Sequence, residues 1–196
     1  MTLDRTSRQL SMAITIHDLN QASRSRALEM TAPLAERSPW VAEAALNARP
    51  FASDEARAEA LVEVILATDA AKRIDLFQVY PELAGIEASE GRMSEESTGE
   101  QDRLGLTRLR GPESRRLAAP NAAYRLRFGY PFILAPHRIP DRASIIAIFE
   151  QRRKASPVEE HTTTNAEIAP VIRNRAVKAF GNATVSSNQL ESEPQE

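Results

Sequence analysis

Apolar positions recur at helical spacing along most of this chain and alternate almost nowhere. Leu61, Val64, Ile65 and Thr68 share one helical face behind Ser53, a capping residue followed by Asp54 and Glu55, which suit the positive end of a helix dipole. Ile74 and Phe77 mark an inward stripe on a helix from Ala70 to Val79, ended by Pro81 because the residue before proline disfavours helix. Ser38 and Pro39 open a short helix through Leu46, with Trp40 as its core anchor. Further helices are predicted from about Glu95 to Leu109, from Pro112 toward Phe128, and from Thr164 or Asn165 to about Phe180. Asp141 caps one more, carrying Ile145, Ile146, Ile148 and Phe149. Tyr130 to Leu134 reads as a short extended segment, and strands are otherwise scarce. No heptad persists, so the pattern predicts an all-α fold: one compact bundle of about eight helices rather than a coiled coil.

The ends read differently. Residues 1–12 lack an apolar period, and residues 181–196 are rich in Ser, Asn, Gln and Glu, so both are expected to be disordered tails around a helical domain over 13–180. Pro120 and Pro170 fall inside segments that otherwise read as helix. An interior proline costs about 3 kcal/mol, which predicts either later helix starts or kinks at those points.

Composition narrows the function classes. A chain of 196 residues, 42% hydrophobic and 27% charged, suits one soluble globular domain. Its apolar stretches fall far short of the roughly 20 residues a membrane helix needs. A net charge of −2 gives no global pull toward nucleic acid or anionic lipid. With no cysteine there is no disulfide framework, thiolate metal site or cysteine nucleophile. His17, His137 and His161 have no metal-ligand spacing, so no metal site is expected. The first residues carry charge without a signal-type apolar core, and Pro194-Gln195-Glu196 is not a peroxisomal address, which leaves the cytoplasm as the expected location.

Four motifs follow in order: Ser38-Pro39-Trp40-Val41-Ala42-Glu43, Tyr80-Pro81-Glu82-Leu83-Ala84-Gly85, Ser97-Thr98-Gly99-Glu100-Gln101, and the run from Asn121 through Tyr124, Phe128 and Gly129 to Ile133. Their order and spacing resemble the OHCU decarboxylase family of urate breakdown, which converts 2-oxo-4-hydroxy-4-carboxy-5-ureidoimidazoline to (S)-allantoin. The resemblance runs from about Ile16 to Phe180. It implies a helical fold, a small anionic ureidoimidazoline substrate, no cofactor, and a homodimer. It also implies site residues. Tyr80 stands where the family usually has a catalytic histidine, in His-Pro-(Asp/Glu)-Leu, and Glu100 matches a glutamate that hydrogen-bonds the substrate. Pro81, Ser97, Thr98, Gly99, Gln101, Arg175 and the segment Phe132-Ile133-Leu134-Ala135-Pro136 match substrate-binding positions, the last through backbone groups.

The chemistry explains what such a site needs. Loss of carbon dioxide leaves an electron pair, which the substrate delocalises into its own C=N, so the protein has to orient a polar ring and manage one proton. Histidine suits that work with a pKa near 6.5, whereas tyrosine, near 10, is neutral at pH 7 and a poor base. Tyr80 is therefore either a phenolic proton donor or an aromatic filling the old site. Ser97 and Glu100 also have the spacing of a capping box, Phe132 and Ile133 of plain core, Arg175 of a solvated face, and His137 is either a displaced proton carrier or a surface histidine. Three functions stay open on this reading: a decarboxylase, a non-catalytic relative that binds a ureido compound or a partner protein, and an enzyme of altered chemistry in the same fold.

Overall fold

Helix starts are set by short polar caps and by prolines at first positions. The structure, a computed structural model, describes residues 15–187, with side chains over 15–179. Among the described residues it holds ten α-helices, eight of them of seven residues or more, and no strand. They are α1 (Ile16–Gln21), α2 (Arg24–Thr31), α3 (Pro39–Ala45), α4 (Asp54–Ala67), α5 (Ala70–Gln78), α6 (Ile86–Glu90), α7 (Glu95–Arg103), α8 (Gly111–Phe128), α9 (Arg142–Arg152) and α10 (Pro157–Ser187). The all-α expectation holds. Ser53, Asp69, Ser94 and Asp141 each accept a hydrogen bond from a backbone N–H in the first turn of α4, α5, α7 and α9. Ser38 occupies the N-cap of α3 without such a bond, so Pro39 at the first position carries that start.

Three boundaries differ from the sequence reading. The helix expected over 95–109 stops at Arg103, because Gly105 takes a left-handed φ of 67° and a 3-10 turn follows at Leu106–Arg108. The last helix starts at Pro157, not near Thr164. There Ser156 N–H donates to Glu159 Oε2 at 2.8 Å and Glu159 N–H to Ser156 Oγ at 3.3 Å, a reciprocal cap. It also runs on to Ser187, beyond the expected limit of 180, while the expected tail at 1–12 and the rest of the other lie outside the described residues. Pro120 and Pro170 sit inside α8 and α10, which begin before them rather than after. Packing offsets that backbone cost: α8 buries Leu117, Asn121, Tyr124 and Phe128, and α10 buries Ile168, Val171, Ile172 and Ala176.

The core forms where α10 lies along α4, with α3 also packed against α4. Leu61 and Ile65 of α4 are buried as the period predicts, with Val64 partly so, and α5 adds Leu76 and Phe77. On α9, Ile145 and Phe149 face in while Ile146 stays exposed. Trp40 is only partly buried, packed against the core edge with Lys72 Nζ 4.2 Å from its ring centre. No described helix is long and apolar enough to cross a membrane.

Candidate active site

Three segments far apart in the chain meet beside α10: the turn after α5, the inner face of α7, and the extended segment between α8 and α9. Tyr80, Pro81 and Leu83 come from the first, Ser97, Glu100 and Gln101 from the second, and Phe132, Ile133, Leu134 and Pro136 from the third. With Val171 they enclose a cavity of about 30 Å³, room for about one or two waters.

The turn is held from behind. Gln101 Oε1 accepts from Ala84 N–H at 2.9 Å and Gln101 Nε2 donates to Glu82 O at 3.1 Å. Asn121 Nδ2 donates to Leu83 O at 3.0 Å, so both amide side chains serve the bend that presents Tyr80 and Pro81. Ala84 takes a φ of 49°, a left-handed conformation that L-residues reach at some cost and that these bonds sustain.

The extended segment is held by a buried cluster on its far side. Arg152 Nη1 donates to Ile133 O at 2.6 Å, and Arg152 Nε donates to Glu160 Oε1 at 3.0 Å. Tyr124 also donates to Glu160, and Arg152 Nη2 to Thr164 Oγ1 at 3.2 Å. Thr164 is thus a buried hydrogen-bonding residue within α10 rather than its cap. Phe132 packs against Phe149, ring centres 4.2 Å apart, so its side chain is core while its segment lines the cavity. Ala135 N–H donates to Glu167 Oε2 at 2.7 Å, whereas among the described residues no hydrogen bond engages the N–H of Phe132, Ile133 or Leu134. Arg152→Ala, which strands a buried Glu160, is expected to lower stability by roughly 3–5 kcal/mol in urea denaturation.

Behind Glu100, the one charged residue lining the cavity, lies an ionic cluster built on Arg175, which itself lines the neighbouring cleft. Arg175 is 3% exposed and grips Glu100 with both ends of one guanidinium edge, Nε to Oε1 at 2.8 Å and Nη2 to Oε2 at 2.9 Å. The same Nη2 donates to Ser97 Oγ and to Glu36 Oε2, each at 3.1 Å. Burial pulls the arginine's pKa down, but the bonds to Glu100 and the nearby Tyr80, Glu100 and Glu36 outweigh it, and the net shift is upward. On the far side of the pair lies a cleft of about 370 Å³ lined in part by Glu95, Glu96 and Lys178, so Glu100 borders both spaces.

Tyr80 completes the cavity. Its ring centre lies 6.0 Å from the Arg175 guanidinium carbon, and its hydroxyl is buried without a hydrogen-bond partner. Burial pushes that hydroxyl well above the ordinary phenol range; Arg175 opposes the shift, and Glu36 and Glu100 reinforce it. Burial therefore holds the Tyr80 phenol in its neutral form near pH 7.

Several sequence expectations gain or lose from this geometry. Ser97 and Glu100 are not a capping box: Ser94 is the cap of α7, and Ser97 Oγ donates to Glu36 Oε2 at 2.7 Å. Arg175 is buried, not on a solvated face. Thr98 and Gly99 are exposed and do not line the cavity, with Thr98 Oγ1 donating to Ser94 O. Ala135 is buried but is not among the cavity-lining residues. His137 is exposed, and no group of three His, Cys, Asp or Glu among the described residues could hold a metal ion. Glu36, which sequence reasoning missed, is the addition. Its one signal was a charge closing the apolar run Ala32-Pro33-Leu34-Ala35 just ahead of the first motif.

Comparison with known proteins agrees with the motif order. The family model for OHCU decarboxylase matches residues 20–177. The chain is 32% identical over 148 residues to the 2-oxo-4-hydroxy-4-carboxy-5-ureidoimidazoline decarboxylase of Mus musculus, covering 76% of this chain and 83% of that one. It is 29% identical over 160 residues to the protein of the same name from Amia calva, covering 82% and 91% respectively. Its fold is similar to a crystal structure of an OHCU decarboxylase in the presence of (S)-allantoin, with a TM-score of 0.62 at 15% identity, covering 79% of this chain and 98% of that one.

Proposed function

Because the chain belongs to the OHCU decarboxylase family, we propose that its cavity is the active site of a decarboxylase that converts 2-oxo-4-hydroxy-4-carboxy-5-ureidoimidazoline to (S)-allantoin. The observation that carries the assignment is the meeting of Tyr80, Pro81, Ser97, Glu100, Gln101 and the 132–134 backbone around one space, with a buried arginine behind Glu100.

Each group has a task that its surroundings allow. Arg175 offers a planar fork to the substrate carboxylate. The unengaged N–H groups of residues 132–134 donate to the ring's carbonyl oxygens, and Glu100 accepts from its hydroxyl or N–H groups. The bond from ring carbon to carboxylate then breaks, carbon dioxide leaves, and the electron pair enters the adjacent C=N. A proton returns to carbon from one face. The Tyr80 hydroxyl, neutral and without another partner, is the donor this chain supplies. Gln101 is a positioning residue, since its amide is committed to the turn behind Tyr80. The water-sized cavity means that side chains part on binding, and the Glu100–Arg175 pair is the wall that opens. The setting we assign is cytoplasmic and the assembly a homodimer, which sedimentation velocity tests.

A coupled assay tests the activity. Urate is oxidised and hydrolysed to the unstable intermediate, this protein is added, and the optical signal of (S)-allantoin is followed. We expect allantoin to form faster than it does spontaneously. If it does not, while titrated (S)-allantoin still binds, the protein is a ureido-binding relative, the reading favoured by the buried phenol where a histidine is usual.

A further inference from the structure

Two carboxylates share the one guanidinium of Arg175, and they are not equivalent. Glu100 lines the cavity; Glu36 does not. Glu36 enters from the segment between α2 and α3, is 1% exposed, and concentrates its bonds on a single oxygen. Its Oε2 accepts from Ser94 Oγ at 2.8 Å, Ser97 Oγ at 2.7 Å and Arg175 Nη2 at 3.1 Å. Its Oε1 is buried and has no hydrogen-bond partner, with Arg37 Nε 3.9 Å away.

A guanidinium has two edges that can each take a carboxylate side-on. In Arg175 the Nε/Nη2 edge is fully occupied by Glu100. The Nη1/Nη2 edge is half used: Nη2 reaches Glu36, while Nη1 makes only a long 3.4 Å bond to Pro33 O. The unpartnered Oε1 is the acceptor that would complete this second edge. Resting on the assignment of the cavity as the substrate pocket, we propose that Glu36 is a positioning residue for carboxylate recognition. It holds the second edge of Arg175 so that the first edge passes from Glu100 to the carboxylate of the substrate.

The exchange fits the space and the charge. A cavity of about 30 Å³ admits no ring while Glu100 and Arg175 stay joined. An arginine whose one strong partner leaves would have to be reordered before it could bind the incoming carboxylate. Glu36, fixed by two serine hydroxyls, spares that reordering. Glu100, once released, faces the substrate rather than the arginine.

The test compares recognition of the carboxylate with recognition of the rest of the molecule. KM, kcat and the inhibition constant of (S)-allantoin, a neutral product that has lost the carboxylate, are measured for the wild type, Glu36→Gln and Glu36→Asp. Gln keeps an acceptor for Ser94 and Ser97 but removes the charge that anchors the arginine. It should raise KM about 10-fold or more, with kcat and allantoin inhibition within about 2-fold of wild type. Asp keeps the charge and should recover part of the KM loss. If Gln does not fold, Asp alone carries the comparison: a raised KM without a change in allantoin inhibition supports the role. Equal shifts in KM and allantoin inhibition, or no shift in either, overturn it. A wild type that neither turns over substrate nor binds titrated (S)-allantoin overturns the pocket assignment itself, and this inference with it.

Discussion

Tyr80→His is expected to raise decarboxylation by roughly 100-fold or more, the scale of a general acid-base contribution. The wild-type hydroxyl is buried, without a partner, and shifted away from the pH range in which it could exchange a proton easily. An imidazole, with an ordinary pKa near 6.5, both donates and accepts there. It is also the smaller group, so it enlarges a cavity that holds about 30 Å³. Substrate affinity should change much less than turnover, because Arg175, Glu100 and the 132–134 backbone provide orientation. The pH profile gives a second readout: the histidine variant acquires a rate-controlling titration in the neutral range, and the wild type shows none from Tyr80 below about pH 10. Glu100→Ala in the histidine background should remove most of the gain, since the substrate is then no longer oriented against the proton carrier.

Tyr80→Phe separates the phenol's chemistry from its bulk. The hydroxyl makes no hydrogen bond, so its removal should leave stability at pH 7 unchanged or slightly raised. If Tyr80 is the proton donor, the residual turnover falls; if it merely fills space, turnover stays. The direction of its pKa shift also fixes a sign for alkaline stability. In the unfolded chain the phenol ionises near pH 10, in the folded chain higher, so the native state's advantage is intact below pH 10 and shrinks above it. Urea midpoints at pH 8 and 10.5 should therefore lie further apart for the wild type than for Tyr80→Phe. Tyr124 and Tyr130, shifted in the same direction, keep the variant from losing the dependence altogether.

The sequence carried much of the fold because its caps are local. Ser53 and Asp141 cap helices through their own first turns, and such signals need no tertiary context. The start of α10 was equally local, in Ser156-Pro157-Val158-Glu159, but Thr164 and Asn165 offered competing caps; the buried Arg152–Glu160 cluster takes up Thr164, and Asn165 Nδ2 donates to His161 O. Within the site, spacing placed Ser97, Glu100 and Gln101 on one helical face, and the structure does the same. Thr98 and Gly99 came in only as letters of the same motif. At about 100° of rotation per residue, neighbours of a buried position turn toward solvent. Glu36 was hidden for a different reason: its partner Arg175 lies 139 residues away, and no local pattern encodes that meeting. Gln101 was visible as a site residue, but not its use of both amide atoms on the turn that presents Tyr80.

Arg175→Ala is expected to cost about 3–5 kcal/mol of stability, because it leaves Glu36 and Glu100 buried with no cation between them. Urea denaturation at pH 7 measures the deficit. Arg175→Lys keeps a charge but offers a single point rather than a fork, so it should fall between Ala and wild type in stability while losing most carboxylate recognition. The decisive comparison is the triple variant Glu36→Gln, Glu100→Gln, Arg175→Met. A buried ionic cluster replaced as a whole costs little, because its mutual attraction mainly offsets its own desolvation. The triple variant should therefore fold with nearly wild-type stability and turn over nothing. Were it as unstable as Arg175→Ala, the cluster would be holding the fold together. Stable and inactive, it shows that this chain keeps three charged groups in its interior for the substrate, and that α7 and α10 pack without them.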